Sequence, residues 1–239
     1  MDQVVDQTEP KVVSRDQWLE ARLALLVREK ELSRLGDELA EQRRKLPWVK
    51  VEKTYTFDGP KGRETLADLF GDCSQLAVYH FMFAPDWEEG CKSCSFWADN
   101  INGTDIHLKH RDISFVAISR APLAKLEAYK RRLGWSFKWV SSDDGDFNYD
   151  FGVSFTPAQR AKGELAYNYA TSKMQMSDLP GISVFAKDAA GQVYHTYSSF
   201  GRGVEAINGA YRFIDLTPRG RHEEGKGMAW LRRHDDYED

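Results

Sequence analysis

Only three of the 239 residues are cysteine, an odd number and too few for the disulfide framework that staples small secreted folds. Long apolar runs are also missing, and none approaches the ~20 residues a membrane-spanning helix requires. The start, Met1-Asp2-Gln3-Val4-Val5-Asp6, has neither the basic end nor the apolar stretch of a secretory signal. The expected compartment is therefore the cytoplasm, where the three thiols would be reactive, metal-bound or simply buried. Basic charge is not in excess: 33 Lys and Arg stand against 37 Asp and Glu. The clusters Arg43-Arg44-Lys45 and Arg232-Arg233 are short and lie beside acids. Nucleic-acid binding needs a concentrated basic surface, so neither nucleic acid nor membrane is an expected partner.

What is present suits a packed α/β core, with 41% hydrophobic and 13% aromatic residues. Residues 1–13 read as polar and irregular. Ser14 and Gln17 have the spacing of a capping box, and Leu19, Leu23, Leu26, Leu32, Leu35 and Leu39 recur at helical spacing. One long helix is expected to about Lys45, stopped by Pro47 and packed on its own domain, with a coiled-coil or dimer arm as the alternative. Val49–Phe57 reads as one strand or two, Asp58-Gly59-Pro60-Lys61-Gly62 as a turn and Glu64–Phe70 as a short helix.

Leu76–Phe83, Ile113–Ser119 and Phe137–Ser141 are apolar enough for buried strands, and helical stretches separate them. That βαβαβ order predicts parallel pairing through right-handed crossovers. Residues 142–178 break the rhythm and read as an insertion, with an acidic turn, a helix over Pro157–Tyr169, and no EF-hand spacing in its carboxylates. Ile182–Phe185 and Val193–Tyr197 form an antiparallel pair, and Glu205–Leu216 is the last helix. The charged tail carries Met228, Trp230 and Leu231 as anchors, and its His234-Asp235 pair reads as solvated.

The stretch with chemistry in it is Pro85-Asp86-Trp87-Glu88-Glu89-Gly90-Cys91-Lys92-Ser93-Cys94. A Cys-x-x-C pair that follows a buried strand and opens a helix is the layout of a dithiol redox centre. The free N–H groups and partial positive charge of a helix start favour a thiolate, and can bring a thiol from ~8.5 into roughly the 3.5–7.5 range. Asp86, Glu88 and Glu89 act against this, so a modest depression is expected. Cys91, at the helix start beside Lys92, is the expected attacking thiol and Cys94 the buried resolving one. Cys73 lies at the other end of the preceding strand and reads as a semi-buried free thiol.

Together these features resemble the thioredoxin fold over roughly residues 49–216. More closely, Tyr79-His80-Phe81-Met82-Phe83, Gly90-Cys91-Lys92-Ser93-Cys94-Ser95, Asp146-Phe147-Asn148-Tyr149-Asp150-Phe151, Leu179-Pro180-Gly181-Ile182-Ser183-Val184-Phe185, Thr196-Tyr197-Ser198 and Trp230–Tyr237 resemble an uncharacterised bacterial family of thioredoxin-like proteins, the predicted dithiol–disulfide oxidoreductases. The resemblance implies a thioredoxin-like mixed sheet flanked by helices over the α/β domain (49–216), with the insertion before a cis-proline loop; an N-terminal helical extension (1–48) with its long helix precedes it, and a C-terminal tail (217–239) packs on it. It implies a cis bond at Leu179-Pro180, with a trans proline at a strand start as the alternative. Trp87, Leu179 and Pro180 would then form the platform that receives a substrate, with Trp87 as a core residue the alternative. Gly90 and the central Lys92-Ser93 depart from the Trp-Cys-Gly-Pro-Cys of thioredoxin. A peroxiredoxin motif, Pro-x-x-x-Thr-x-x-Cys counted from Pro85, would put Glu89 at the threonine and Lys92 at the cysteine, and so it fails.

The leading reading is a thiol–disulfide oxidoreductase needing neither cofactor nor metal. Its partners would be a protein or small-molecule disulfide or thiol substrate and an upstream thiol reductant; a homodimer stays open. Three alternatives stand beside it: a thioredoxin-like binding module with an idle dithiol, a peroxiredoxin-like thiol peroxidase, and a structural zinc site. The last would need four ligands, so Cys73 and a histidine such as His80 would have to converge on the pair.

Overall fold

The computed structural model describes residues 10–143 and 145–238. The first nine residues of the irregular start, and Asp144 of the acidic turn, lie outside that range. The chain divides into two compact units, Met1–Leu46 and Pro47–Asp239.

The first unit is one helix, α1 (Arg15–Arg44). The Ser14 Oγ accepts from the Gln17 N–H and the Gln17 side chain accepts from the Ser14 N–H, closing the expected capping box. At about 1.5 Å per residue this helix is ~45 Å long, and none of its residues is buried. The stripe of Leu19, Leu23, Leu32, Leu35 and Leu39 stays exposed. Caps and pairs such as Arg22–Glu29 and Lys45–Glu41 support it locally.

In the second unit β1 (Val49–Lys50), β2 (Thr56–Gly59) and β3 (Gly62–Thr65) precede β4 (Gln75–His80). Then come α2 (Lys92–Ile101), α3 (Asp105–Lys109), β5 (Ile113–Ser119), α4 (Leu123–Arg132) and β6 (Lys138–Ser141). After α5 (Phe147–Asp150), α6 (Pro157–Ala161), β7 (Leu165–Tyr167) and β8 (Ala170–Ser172), the chain closes with β9 (Gly181–Lys187), β10 (Val193–Phe200) and α7 (Gly209–Asp215). Eight strands form one sheet in the order β1-β10-β9-β4-β5-β6-β2-β3. The expected parallel run is present as β4-β5-β6, and β9 and β10 add antiparallel. The inner order β10-β9-β4-β5, with a helix after β4, is that of a thioredoxin-like α/β fold. The β2–β3 hairpin and the short β1 extend its two edges.

Side chains alternate across β4. Leu76 and Val78 enter one apolar cluster with Phe57, Val116, Ile118 and Phe185, while Tyr79 and the following Phe81 enter the other with Cys94, Trp97, Tyr129 and Trp139. The sheet is thus covered on both faces. The 142–178 segment does more than decorate it: Phe147 fills the first cluster, and Val153, Phe155, Leu165 and Tyr167 make a third with Leu179 and Phe200. The carboxylates of Asp146 and Asp150 are taken up by Lys53, at 2.5 and 2.9 Å.

Several local expectations change. Glu64–Phe70 is the end of β3 and a 3-10 turn over Asp68–Phe70, because the Asp68 carboxylate accepts from the backbone and hydroxyl of Thr65 and tightens the chain there. The helix expected to reach Tyr169 stops at Ala161. Gly163 takes a left-handed conformation, and the two positive-φ residues Asn168 and Tyr169 then turn β7 into β8. The last helix is a 3-10 stretch, Gly201–Ile207, followed by α7, which Asn208 caps through its bond from the Tyr211 N–H at 2.9 Å. Among the described residues no peptide bond is cis, which corrects the expected cis-proline. The trans loop is held by the Leu179 N–H on the Val153 carbonyl at 2.8 Å and by the Tyr167 hydroxyl on the Pro180 carbonyl at 2.6 Å. Trans is also the lower-energy form of an X–Pro bond by about 0.5–1 kcal/mol.

One buried polar chain crosses β4, β9 and β10. His80 Nε2 lies 2.8 Å from the Ser183 hydroxyl, Ser183 lies 2.8 Å from Ser198, and Ser198 lies 2.7 Å from His195 Nε2. Burial, assisted by His195, pushes His80 down to about 3. Between that value and the ordinary ~6.5 the unfolded chain binds more protons than the folded one, so stability falls as pH falls through this window. The expected contribution of His80 is a loss of roughly 2–3 kcal/mol between pH 7 and pH 4.5. Urea unfolding at a series of pH values should show a steeper acid loss in the native protein than in His80→Gln; equal slopes would contradict it.

Candidate active site: a dithiol at the start of a helix

β4 is the strand from which the site is built. Beyond His80 its direction continues through Phe81, whose N–H bonds the Ile118 carbonyl at 3.0 Å, and Phe83, whose carbonyl accepts from Ala121 at 2.8 Å. Pro85 then ends the strand path, and the acidic loop carries the chain to α2. Lys125 of α4 secures that loop by donating to the carbonyls of Pro85 at 3.0 Å and Trp87 at 2.9 Å.

Cys91 is the N-cap residue of α2, with extended dihedrals (φ −55°, ψ 126°), and is half-buried. Both of its own backbone groups are bonded. Its N–H donates to Met82 O at 3.0 Å, and its carbonyl accepts from the Ser95 N–H at 2.9 Å and the Ser95 hydroxyl at 3.0 Å. Cys94, one turn later, is buried at 2% exposure, and its sulfur accepts from the Met82 N–H at 3.5 Å. Met82 therefore touches both cysteines, one through its carbonyl and one through its N–H.

The two thiols differ in acidity because they differ in surroundings. A hydrogen bond from the Cys94 thiol is the main cause that lowers Cys91 to about 6; burial acts against it, and the Cys94 and Ser93 N–H groups and the Ser93 hydroxyl add to it. Burial pushes Cys94 well up, and the bond to Cys91 pushes it the same way. The pair thus offers one accessible thiolate and one protonated thiol below it near neutrality.

Glu89 does not face Cys91 as a free acid. It forms ion pairs with Arg132 and, at 2.9 Å, with Arg233 of the tail. Arg132 also holds Asp235 at 2.6 Å and Asp236 at 2.8 Å. Gly90 is required by space: a β-carbon there would stand 2.8 Å from a ring carbon of Phe81 and 2.9 Å from one of Tyr129. A tryptophan before the first cysteine, as in thioredoxin, has no room at this position.

Trp87 is half-buried and packs against the cluster that contains Cys94. Leu179 is buried in the third cluster, and Pro180 beside it is half-exposed. Gly181 pairs with His80, so the register sets the Leu179-Pro180 loop against the end of β4 from which the dithiol loop leaves. Cys73 is buried in the loop at the opposite end of β4. His80 bonds Ser183 and stacks near Phe147, on the face of the sheet away from Cys94. The two residues that a zinc site would have to recruit do not converge on the pair. Among the described residues no group of three or more His, Cys, Asp or Glu side chains is placed to hold a metal ion, and no helix is long and apolar enough to cross a membrane.

A family model described as "Bacterial protein of unknown function (DUF899)" matches residues 7–237. The chain belongs to that family. No curated protein matches it in sequence. Among solved structures it is similar to the bacterioferritin comigratory protein of Xanthomonas campestris, with a TM-score of 0.45, 10% identity, and 65% of this chain and 86% of that one covered. It is also similar to the peroxidoxin BcpB of Mycobacterium tuberculosis (TM-score 0.43, 15% identity, 70% and 98% covered) and to the mitochondrial 2-Cys peroxiredoxin of Plasmodium falciparum (0.40, 14%, 70% and 94%).

Sequence reasoning missed the groups that hold the Glu89-Gly90 stretch before Cys91 from outside its own segment: Tyr129, Arg132 and Arg233. Ser95 hydroxyl lies 2.9 Å from the Tyr129 hydroxyl, and Arg233 Nε donates to that same hydroxyl at 2.6 Å. The tail motif Arg232-Arg233-His234-Asp235-Asp236-Tyr237 was the available signal; the tail is expected to pack on the domain, but its His234-Asp235 pair reads as solvated and Arg233 has no role in that reading. Its His234 pairs with Asp99 at 2.7 Å, not with Asp235, and Leu231 is fully buried.

Proposed function

We propose that this protein is a thiol–disulfide oxidoreductase in which Cys91 attacks and Cys94 resolves. The observation that carries the reading is the asymmetry of the pair: a half-buried Cys91 of lowered pKa at the cap of α2, with a buried, protonated Cys94 one turn behind it. The Cys91 thiolate attacks one sulfur of a substrate disulfide, forming a mixed disulfide and releasing the other sulfur as a thiolate. Cys94 then attacks Cys91 Sγ, its proton passing to the second departing thiolate, and the Cys91–Cys94 disulfide forms. Two electrons have moved to the substrate, and an upstream thiol reductant restores the dithiol. Trp87 and the Leu179-Pro180 loop are the proposed platform for the substrate, with Pro180 and the loop backbone presented to it and the Leu179 side chain anchoring the loop from within. A reducing cytoplasm suits a dithiol that must be returned to the thiol form.

Removing the resolving thiol tests this. A Cys94→Ser protein, expressed in cells and isolated under denaturing, thiol-blocking conditions, is expected to carry partners through Cys91 that a reductant releases. Adducts that persist in the Cys91→Ser/Cys94→Ser double variant would place the reactivity on Cys73 and remove the reading. Stoichiometric zinc in the purified protein would also remove it.

A further inference from the structure

The C-terminal tail is built into the dithiol loop. Arg233, only 17% exposed in its side chain, pairs with Asp236 of its own tail at 3.2 Å and reaches across to three further groups. Its Nε donates to the Tyr129 hydroxyl at 2.6 Å, and its Nη2 donates to the Gly90 carbonyl at 3.0 Å and pairs with the Glu89 carboxylate at 2.9 Å. Tyr129 in turn donates to the Gly90 carbonyl at 3.3 Å and meets Ser95, whose hydroxyl holds the Cys91 carbonyl. The peptide that joins Gly90 to Cys91 is thus gripped on both sides. Its carbonyl receives two donors from Arg233 and Tyr129, while its N–H is fixed on Met82.

We infer that Arg233 is a positioning residue of the redox centre: it locks the Gly90–Cys91 peptide in the cap geometry of α2 and neutralises Glu89, the acid two residues before the attacking thiol. This rests on the reading of Cys91 as that thiol. The planar fork is the reason an arginine stands here. One guanidinium meets a hydroxyl, a carbonyl and a carboxylate together, which the single ammonium of a lysine cannot do in the same geometry. The tail brings it there because Leu231 is fully buried and Arg132 pins Asp235 and Asp236 on either side of the approach. The other titratable and charged groups on the elements about the pair are Cys94 and Lys92 on α2, Tyr79 of β4, Tyr129 and Arg132 of α4, Tyr167 of β7, Asp235 and Asp236 of the tail, and Asp86, Glu88 and Glu89 of the dithiol loop. Arg233 pairs with both Glu89 and, at 3.2 Å, Asp236, so its loss leaves these two carboxylates to Arg132 alone, and that is where loss of Arg233 is felt as charge.

The test is the rate at which iodoacetamide alkylates Cys91, followed by peptide mass from pH 5 to pH 9 in the full-length protein, with Arg233→Ala and Arg233→Lys beside it. Arg233→Ala is expected to move the midpoint of the profile up by about half to one pH unit, a roughly 3–10-fold loss of thiolate at pH 5, while the rate at pH 9 stays that of the native protein. A merely structural role would lower the melting temperature and leave the midpoint in place. Arg233→Lys keeps the charge beside Glu89 and is expected to recover part of the shift. It also serves where the alanine variant does not fold, since it should still lie at least twofold below the native rate at pH 5. Native-like profiles in every folded variant would overturn the inference. Alkylation reads the thiol alone, so this result is independent of whether the protein reduces any disulfide; that question belongs to the trapping experiment.

Discussion

Replacing Cys91 with serine is expected to lower disulfide turnover, measured as insulin reduction with a dithiol donor, by on the order of a hundredfold or more, because no other thiol stands at the cap of α2. The buried Cys94 cannot substitute for it. Its sulfur is almost fully out of solvent and its pKa is pushed upward by burial, so it remains protonated near neutrality. In the native protein the rate of attack should follow the ionisation of Cys91. It should be half-maximal near pH 6, flat above about pH 7, and down to about a tenth at pH 5, since below its pKa each pH unit removes about nine-tenths of the thiolate. The sign is that of a depressed acid: reactivity is present above the lowered value and lost as pH falls through it. A half-maximum near the ordinary thiol value of ~8.5 would falsify the assignment of Cys91 as the activated thiol, and so would turnover that survives Cys91→Ser. A thiol peroxidase would announce itself in the same experiment by consuming a peroxide at Cys91 with sulfenic acid as the first product.

The parts of this site that are local in the chain were legible before the structure. An apolar strand, a proline, and two cysteines one helical turn apart carry their meaning within about twenty residues, and the parallel pairing of β4, β5 and β6 followed from helices alternating with apolar runs. What was not legible depends on contacts between distant residues. Arg233 meets Gly90 across 143 positions, and nothing in a charged tail of Arg, His and Asp distinguishes a solvated end from a clamp. The 142–178 segment was misread for a different reason. Its β7–β8 turn uses Asn168-Tyr169 with both residues at positive φ, where the usual signature has glycine second, so the periodicity looked helical. The acids before Cys91 were read as opposing its thiolate because charge was visible and pairing was not. Once Glu89 sits between Arg132 and Arg233, its share of that opposition is gone.

The Leu179-Pro180 loop is expected to depend on a buried ion pair one residue away. Asp178→Ala should lower stability by about 3–5 kcal/mol, an effect to be read from urea unfolding of the full chain. Arg120 leaves the end of β5 and meets Asp178 with two parallel bonds, Nε to Oδ1 at 2.8 Å and Nη2 to Oδ2 at 2.7 Å, with side-chain exposures of only 12% and 5%. The remaining capacity is filled: Ser154 and Ser177 donate to the carboxylate at 2.6 and 2.8 Å, and Arg120 Nη1 donates to the Tyr149 hydroxyl at 3.0 Å. Truncating Asp178 leaves a guanidinium with little access to water and two hydroxyls without their acceptor, which is the expensive way to break such a pair. Removing both charges is a different matter. Arg120→Met/Asp178→Leu gives up the mutual attraction but also the desolvation penalty, and should recover most of the lost stability. The surface pair Lys45–Glu41, exposed on both sides, sets the scale for comparison at about 0.3–0.5 kcal/mol. Because Asp178 ties β5, α5 and the residue before Leu179 together, the single variant should also loosen the presentation of Pro180 beside the dithiol. Disulfide turnover should then fall through a raised KM while the alkylation profile of Cys91 stays at its native midpoint. A loss of stability under about 1 kcal/mol in Asp178→Ala would mean that water already reaches Arg120 and that the pair is not what holds the loop.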